Sequence, residues 1–337
     1  MKITPGKLAG LKAVSTDTGT IAAAAMDQRG SLKKALAKAR GRGATDAMME
    51  EFKAVVTEVL TPHASAILLD PQWGLEPSKQ RSPNAGLLLA YEASGYDNKR
   101  PGRLPDLLSH WSVRRLKDAG ADCIKVLIYY TPYERKAIND EKHAFVERIG
   151  DECRTNDIPF FLEFVGYDHT GGDEKGPEFA KRKPQVVTRS MAEFSKERYG
   201  VDVMKVEIPV NMKFVEGTSN FAGTTVYTKD AALALFRKAA AAARKPFIYL
   251  SAGVSNTEFT ESLALAGESG VEFAGVLCGR ATWKDGIPVY ATEGAVAFRE
   301  WLKTEGLKNI GNVNEGLGAA TSWFGAYGVD ADMLATA

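Results

Sequence analysis

Two lysines interrupt strongly apolar segments of the sequence. Lys205 lies in DVMKVEIPV and Lys125 in DCIKVLIYY, and both segments have the composition of buried strands. Desolvation favours the neutral amine of a buried lysine, and a neutral amine attacks carbonyl carbon to form a Schiff base. The two lysines therefore indicate imine chemistry. The alternative is that each lysine forms a structural ion pair, with Glu163 or Glu207 as its partner.

Glu163 has a similar setting, because phenylalanines flank it in FFLEF. Burial is expected to raise the pKa of such a carboxyl group towards neutrality, which suits a group that moves protons during imine formation and hydrolysis. A simple counter-ion for Lys205 is the alternative, and one residue can serve both purposes.

Two glycine-containing turns near the end of the chain have the features of a phosphate site. YLSAGVSN carries Ser251 and Gly253, and VLCGRATW carries Gly279 and Arg280. Backbone N–H groups in such turns, a helix N-terminus and an arginine together bind phosphate dianions. We therefore expect a phosphorylated ligand.

Metal-assisted chemistry is the competing hypothesis. Only four histidines occur, and none lies at helix or strand spacing from another, so a zinc site is poorly supported. His169 follows one apolar run and is expected near the same end of the fold, without a second histidine. A Mg²⁺ site built from Asp27, Asp70 and Glu92 remains an alternative, although we predict no metal.

Eight short apolar runs alternate with helical patterns along the chain, and the gap between the second and third runs has room only for an abbreviated crossover. Near-continuous apolar character is typical of parallel strands covered on both faces. The predicted strands are Thr20–Met26, Ser65–Asp70, Gly86–Tyr91, Cys123–Tyr130, Pro159–Val165, Val201–Val210, Pro246–Ala252 and Phe273–Gly279. The predicted helices are Asp46–Leu60, Pro105–Asp118, Asp140–Asn156, Glu178–Tyr199, Lys229–Arg244 and Asn256–Glu268.

This alternation predicts an α/β fold: one closed (β/α)₈ TIM barrel over residues 1–337, with a short N-terminal helix and a C-terminal extension. An open doubly wound sheet is the alternative, but its dinucleotide-binding GxGxxG motif is missing. The aromatic tail from Trp301 to Ala337 is expected to cover the barrel bottom, line the mouth or form a subunit contact. Polar residues late in the strands should meet at one mouth, where barrel enzymes carry out their chemistry.

Composition excludes several classes of partner. The formal net charge is +1 and the apolar runs are short, so neither nucleic acid nor a membrane is an expected partner. Three widely spaced cysteines provide no disulfide framework. We expect a cytoplasmic protein, and a homo-oligomer (dimer or tetramer) is compatible with the apolar tail.

Taken in order, AMDQRGSL, FFLEF, VMKVEIPVN and LCGRATWKDG resemble the tagatose 1,6-bisphosphate aldolase family over roughly residues 15–300. That family consists of metal-independent class I (β/α)₈ lyases. The resemblance implies cleavage of a ketohexose 1,6-bisphosphate to dihydroxyacetone phosphate and glyceraldehyde 3-phosphate without a cofactor, in tagatose 6-phosphate degradation. Fructose 1,6-bisphosphate is a second expected substrate, because the family discriminates loosely at C4.

The resemblance also implies roles for individual residues. Lys205 would form the Schiff base, Glu163 would shuttle protons, Lys125 would assist the carbinolamine steps and Asp27 would deprotonate the C4 hydroxyl. Residues after Asp27 would lie near the substrate hydroxyls or the distal phosphate, and residues of the last two turns would hold the C1 phosphate. These binding residues are Gln28, Arg29, Ser251, Gly253, Gly279 and Arg280.

The loop DHTGGDEKGP at residues 168–177 and the tail after residue 300 depart from the family pattern. Other substrates therefore remain alternatives, among them another 1-phosphorylated ketose such as sulfofructose 1-phosphate. So does a sugar-phosphate isomerase or epimerase that uses Glu163 as a base without an imine, and a barrel that only senses sugar phosphates.

Overall fold

Eight parallel strands form a closed barrel in the computed structural model, which describes residues 3–93 and 101–329. Consecutive strands are neighbours, and the eighth strand pairs with the first to close the ring. Because helices connect the strands, the predicted (β/α)₈ architecture is confirmed. The strands are β1 (Ile21–Ala25), β2 (Ala66–Leu69), β3 (Gly86–Ala90), β4 (Cys123–Tyr129), β5 (Phe160–Val165), β6 (Val203–Glu207), β7 (Phe247–Leu250) and β8 (Gly275–Cys278).

Every predicted apolar run contains one of these strands, so the strand positions are confirmed. The described helices lie mainly outside the ring, and those at residues 46–60 and 256–268 have the predicted bounds. They are α1 (Pro5–Ala13), α2 (Gly30–Arg40), α3 (Asp46–Leu60), α4 (Leu75–Ser78), α5 (Val113–Asp118), α6 (Lys136–Thr155), α7 (Pro177–Phe194), α8 (Lys229–Ala241), α9 (Asn256–Glu268), α10 (Arg280–Trp283), α11 (Ile287–Trp301), α12 (Leu307–Glu315) and α13 (Phe324–Tyr327). The four-residue α4 is the abbreviated crossover between β2 and β3.

One helix prediction is wrong in its first half. The segment Pro105–Asp118 becomes helical only at Val113, where the Ser112 hydroxyl accepts a hydrogen bond from the N–H of Arg115. Before that point Leu107 pairs with Glu92 in an isolated antiparallel bridge, which holds the chain against the end of β3. Tertiary pairing therefore replaces the first helical turns, and the sequence pattern gave no sign of it.

Helix α1 and the tail close the amino-terminal end of the barrel. Leu11 packs among the inward-facing strand residues. Trp323 is buried in the same cluster, and its indole N–H donates to the Ser15 hydroxyl at 2.8 Å. The Tyr327 hydroxyl donates to the Asp202 carbonyl at 2.7 Å. The tail aromatics thus cover the barrel bottom, which was one of the three expected locations, and the carboxyl ends of the strands remain open. Within residues 3–93 and 101–329, no helix combines the length and apolar character that spanning a membrane requires.

Candidate active site

A cluster of two lysines and three carboxylates lies at the carboxyl end of the barrel. The Lys125 ammonium is 2.8 Å from Asp27 Oδ2, 2.8 Å from Glu92 Oε1 and 2.9 Å from Glu163 Oε2. Glu163 Oε2 is also 2.9 Å from the Lys205 ammonium. Glu163 and Lys205 are direct partners in the register of β5 and β6, so the parallel pairing itself brings them together. Glu163 therefore bridges the two lysines.

Burial and the neighbouring charges shift the pKa values of this cluster in opposite directions. Burial alone would lower the pKa of Lys125, but Asp27, Glu163 and Glu92 together raise it well above its ordinary value. The expectation of a neutral amine is thus wrong for Lys125, since three carboxylates hold its proton.

The expected direction for Glu163 is wrong as well. Burial would raise the pKa of this carboxyl group, but Lys125 and Lys205 lower it below its ordinary value. Phenylalanine neighbours in the sequence indicated the burial and could not show the two ammonium groups. Asp27 follows the same logic: burial opposes ionisation, yet Lys125 and Lys205 hold its pKa far below the usual range.

The turn after β1 presents further polar groups to the same space. Arg29 is 3% exposed, and its Nη2 donates to the Glu92 carbonyl at 2.6 Å. Its Nε and Nη1 atoms are buried without a hydrogen-bond partner in the structure, as is Oε1 of Gln28. Buried donors and acceptors of this kind usually have partners, so these groups are available to a polar ligand.

The turns after β7 and β8 meet as the sequence predicted. Gly253 has φ of +79°, and a Cβ atom there would lie 2.6 Å from Arg280 Cζ, so only glycine lets the guanidinium approach the turn. Ala252 also has a positive φ of 49°, which is strained for a residue with a side chain. No carboxylate within residues 3–93 and 101–329 forms an ion pair with Arg280, so its charge is open to an anion. Ser251 and Gly279 line the same cavity.

This cavity has a volume of about 700 Å³, and all the predicted site residues line it. Sequence reasoning missed several of its other lining residues. Arg103 pairs with Glu174 at 2.6 Å, which brings the loop at residues 168–177 to the mouth as expected. Lys34 extends the basic edge one helical turn after Gly30, a spacing the sequence could have revealed. A second cavity of about 860 Å³ lies at the barrel bottom and contains none of the predicted site residues.

The three carboxylates of the Mg²⁺ alternative do not converge. Asp70 is fully buried and its Oδ2 lies 2.7 Å from the Lys53 ammonium, whereas Asp27 and Glu92 bind Lys125. In the part of the chain that the structure describes, no group of three or more His, Cys, Asp or Glu side chains is arranged to hold a metal ion. The ring of His169 instead stacks on Tyr133, with centroids 6.3 Å apart.

A (β/α)₈ barrel with two buried lysines and a bridging carboxylate at its mouth has the groups that imine chemistry at a carbonyl carbon requires. The family model described as "DeoC/LacD family aldolase" matches residues 21–285. The chain belongs to this family, and it is therefore an aldolase, a carbon–carbon lyase.

Relatives agree with this assignment, and solved structures agree with the fold. The chain is 52% identical over 324 residues to tagatose 1,6-diphosphate aldolase 2 of Enterococcus faecalis, covering 96% of this chain and 97% of the relative. It is 49% identical over 334 residues to tagatose 1,6-diphosphate aldolase of Listeria monocytogenes, covering 99% and 98%. The fold is similar to that of fructose-bisphosphate aldolase from Plasmodium falciparum, with a TM-score of 0.65, 13% identity and 97% of each chain covered. An archaeal fructose 1,6-bisphosphate aldolase gives a TM-score of 0.54 at 14% identity, covering 88% of this chain and 98% of the other.

Proposed function

We propose that this aldolase cleaves tagatose 1,6-bisphosphate, and also fructose 1,6-bisphosphate, to dihydroxyacetone phosphate and glyceraldehyde 3-phosphate through an imine on Lys205. The observation that carries the proposal is the position of Glu163 Oε2, 2.9 Å from each ammonium of the lysine pair. One carboxylate there can take a proton from the nucleophilic amine and return protons to the bound intermediate. The named activity of relatives about half identical over nearly the whole chain supports this choice of substrate.

The two lysines differ in how many carboxylates surround them. Lys125 is paired with three carboxylates, and its raised pKa keeps it an ammonium. Lys205 pairs only with Glu163 within the described residues. Because imine formation needs a neutral amine, Lys205 is the nucleophile and Lys125 supplies a fixed positive charge. That charge stabilises oxyanions that develop at C2 during carbinolamine formation.

Two groups of polar residues that line the cavity are assigned to the two ends of the substrate. The turns carrying Ser251, Gly253 and Arg280 bind the C1 phosphate with backbone N–H groups and one guanidinium. The free donors of Arg29, together with Gln28, are assigned to the hydroxyls or the phosphate at the other end of the sugar. The substrate C2 carbonyl is then held beside Lys205 and its C4 hydroxyl beside Asp27.

Cleavage proceeds through an iminium and then an enamine on Lys205. Lys205 adds to C2, and loss of water gives the iminium. Asp27 removes the C4 hydroxyl proton, the C3–C4 electron pair moves into the iminium, and glyceraldehyde 3-phosphate leaves. Asp27 then releases its proton to solvent. Glu163, which takes up a proton from solvent, delivers it to C3 of the enamine, and water hydrolyses the imine to release dihydroxyacetone phosphate and the Lys205 amine. The low pKa of Asp27 keeps it ionised for its step.

Steady-state cleavage assays test the substrate assignment. Tagatose and fructose 1,6-bisphosphates should both be cleaved, and Lys205→Met should abolish both reactions. Faster cleavage of another 1-phosphorylated ketose, such as sulfofructose 1-phosphate, would overturn the substrate assignment. Isomerisation or epimerisation that survives Lys205→Met would overturn the reaction itself.

A further inference from the structure

Lys53 and Asp70 form a buried ion pair below the turn that carries Asp27. Both side chains are fully buried, and Lys53 Nζ lies 2.7 Å from Asp70 Oδ2. Burial lowers the pKa of Lys53, so keeping it charged in this position depends on its partners. A buried ion pair is weak evidence for a stabilising role, because well-packed apolar residues often replace one without loss. The partners of this lysine indicate a different role.

The Lys53 ammonium uses its remaining donors on the main chain of the β1 turn. Nζ donates to the Met26 carbonyl at 2.5 Å and to the Gln28 carbonyl at 2.9 Å. These carbonyls belong to the residues directly before and after Asp27. One ammonium therefore fixes the backbone on both sides of Asp27, and with it the direction in which the Asp27 side chain leaves the chain.

Asp70, the partner of this ammonium, is itself held in place by the main chain. Its Oδ1 accepts hydrogen bonds from the N–H groups of Gln72 and Trp73, each at 3.0 Å, in the turn that follows β2. Lys53 itself is carried by α3, so helix α3, the turn after β2 and the turn after β1 are joined at one atom. An apolar residue at position 53 would leave both carbonyls without this donor and the carboxylate without its counter-ion.

We propose that Lys53 is a positioning residue for the cleavage step, acting through the Asp27 backbone and without contact to the substrate. This inference rests on the proposed function, because it assumes that Asp27 deprotonates the C4 hydroxyl. It predicts a division between the two halves of the reaction. Breaking C3–C4 needs Asp27 in place, whereas formation of the dihydroxyacetone phosphate imine and exchange of its C3 proton need only Lys205 and Glu163.

The test uses the paired variant Lys53→Met with Asp70→Asn, which removes both charges and keeps the amide oxygen for the two N–H groups. We expect kcat for bisphosphate cleavage to fall about 10- to 100-fold, the effect of a misplacement of about 1 Å. Borohydride trapping of dihydroxyacetone phosphate and exchange of its C3 proton should stay within about twofold of the unchanged enzyme. Replacing Lys53 by Gln in the same Asp70→Asn background restores an N–H donor and should recover part of the cleavage rate.

Lys7 and Asp202 provide a matched control at the barrel bottom. Their atoms Nζ and Oδ2 lie 2.8 Å apart, and Asp202 likewise accepts a backbone N–H, from Phe160. The pair Lys7→Met with Asp202→Asn should leave cleavage per folded enzyme unchanged. If the Lys53→Met, Asp70→Asn variant lost cleavage and C3 proton exchange equally, or lost neither, the positioning role would be overturned. Absence of a trapped adduct in the unchanged enzyme would instead overturn the proposed function on which this inference rests.

Discussion

Replacing Lys125 with Met removes the common partner of three buried carboxylates. Glu163 keeps Lys205 at 2.9 Å, and Glu92 keeps the N–H of Leu127 at 3.1 Å and Arg29 at 3.8 Å. Asp27 loses the ion pair that holds it, at 2.8 Å, and has no other within the described residues. An uncompensated buried carboxylate costs about 3–5 kcal/mol, so we expect the free energy of unfolding to fall by about that amount at neutral pH.

The loss in the free energy of unfolding should become smaller as the pH falls. In the unchanged protein the pKa of Asp27 is lowered, so its contribution to stability is present at neutral pH and is lost only as the pH falls through that low value. Without Lys125, the pKa of Asp27 rises from this low value, because burial is then opposed only by Lys205 and Lys53, and protonation relieves the penalty as the pH falls. The difference in unfolding free energy should therefore be largest near about pH 7.5 and smaller near about pH 5.

Urea unfolding and cleavage kinetics across this pH range provide the assay. Cleavage should fall about 10²-fold or more, and its acidic limb should move to higher pH because the base is protonated earlier. Adding Asp27→Asn to Lys125→Met removes the uncompensated charge, so stability should recover while cleavage does not. A Lys125→Met protein that loses less than about 1 kcal/mol and keeps its pH profile would refute the charge cluster described above.

The site and its surroundings support three further predictions. Glu163→Gln keeps the shape of the side chain but cannot take a proton, so turnover should fall about 10²- to 10⁴-fold. Steady-state kinetics measures turnover, and circular dichroism checks that folding is retained. Normal turnover would contradict the role of Glu163 as a proton shuttle. Arg280→Met should raise KM for the bisphosphate by at least about tenfold, because a hydrogen bond to a charged group is worth about 1.5–3 kcal/mol, and unchanged KM would place the phosphate elsewhere. Lys142 donates to the Tyr129 carbonyl at 2.7 Å, and burial lowers its pKa from 10.5 to about 7. Between these two pH values the unfolded chain binds more protons than the folded protein, so the free energy of unfolding should rise with pH over that range. Lys142→Met should flatten that rise in urea unfolding, and an unchanged slope would contradict the lowered pKa.

Local composition was sufficient to predict the strands, because each strand of the barrel is buried on both faces and appears as an apolar run. Lys125, Glu163 and Lys205 stood out for the same reason, since charge inside such a run is conspicuous. The glycines at 253 and 279 marked two turns that need glycine: Gly253 has a positive φ, and a Cβ atom on Gly279 would lie 2.9 Å from the Ala25 carbonyl oxygen. These features are local in the sequence, so no knowledge of the tertiary structure was required.

The charge states depended on partners that are distant in the sequence. The pKa of Lys125 is set by carboxylates on three other strands or turns, and that of Glu163 by two ammonium groups, so burial alone predicted the wrong direction for both. Asp70 looked like a metal ligand because its partner, Lys53, lies on a helix with no distinguishing motif. Arg103 reaches the mouth from a loop whose path follows the pairing of Glu92 and Leu107, which no sequence period encodes.

The proposed chemistry depends most directly on the identity of the imine-forming lysine. Borohydride reduction in the presence of dihydroxyacetone phosphate, followed by peptide mapping by mass spectrometry, measures it. The mechanism predicts one ligand-sized adduct on Lys205, absent in Lys205→Met and still formed in Asp27→Asn. An adduct on Lys125, or none in an actively cleaving enzyme, would contradict it.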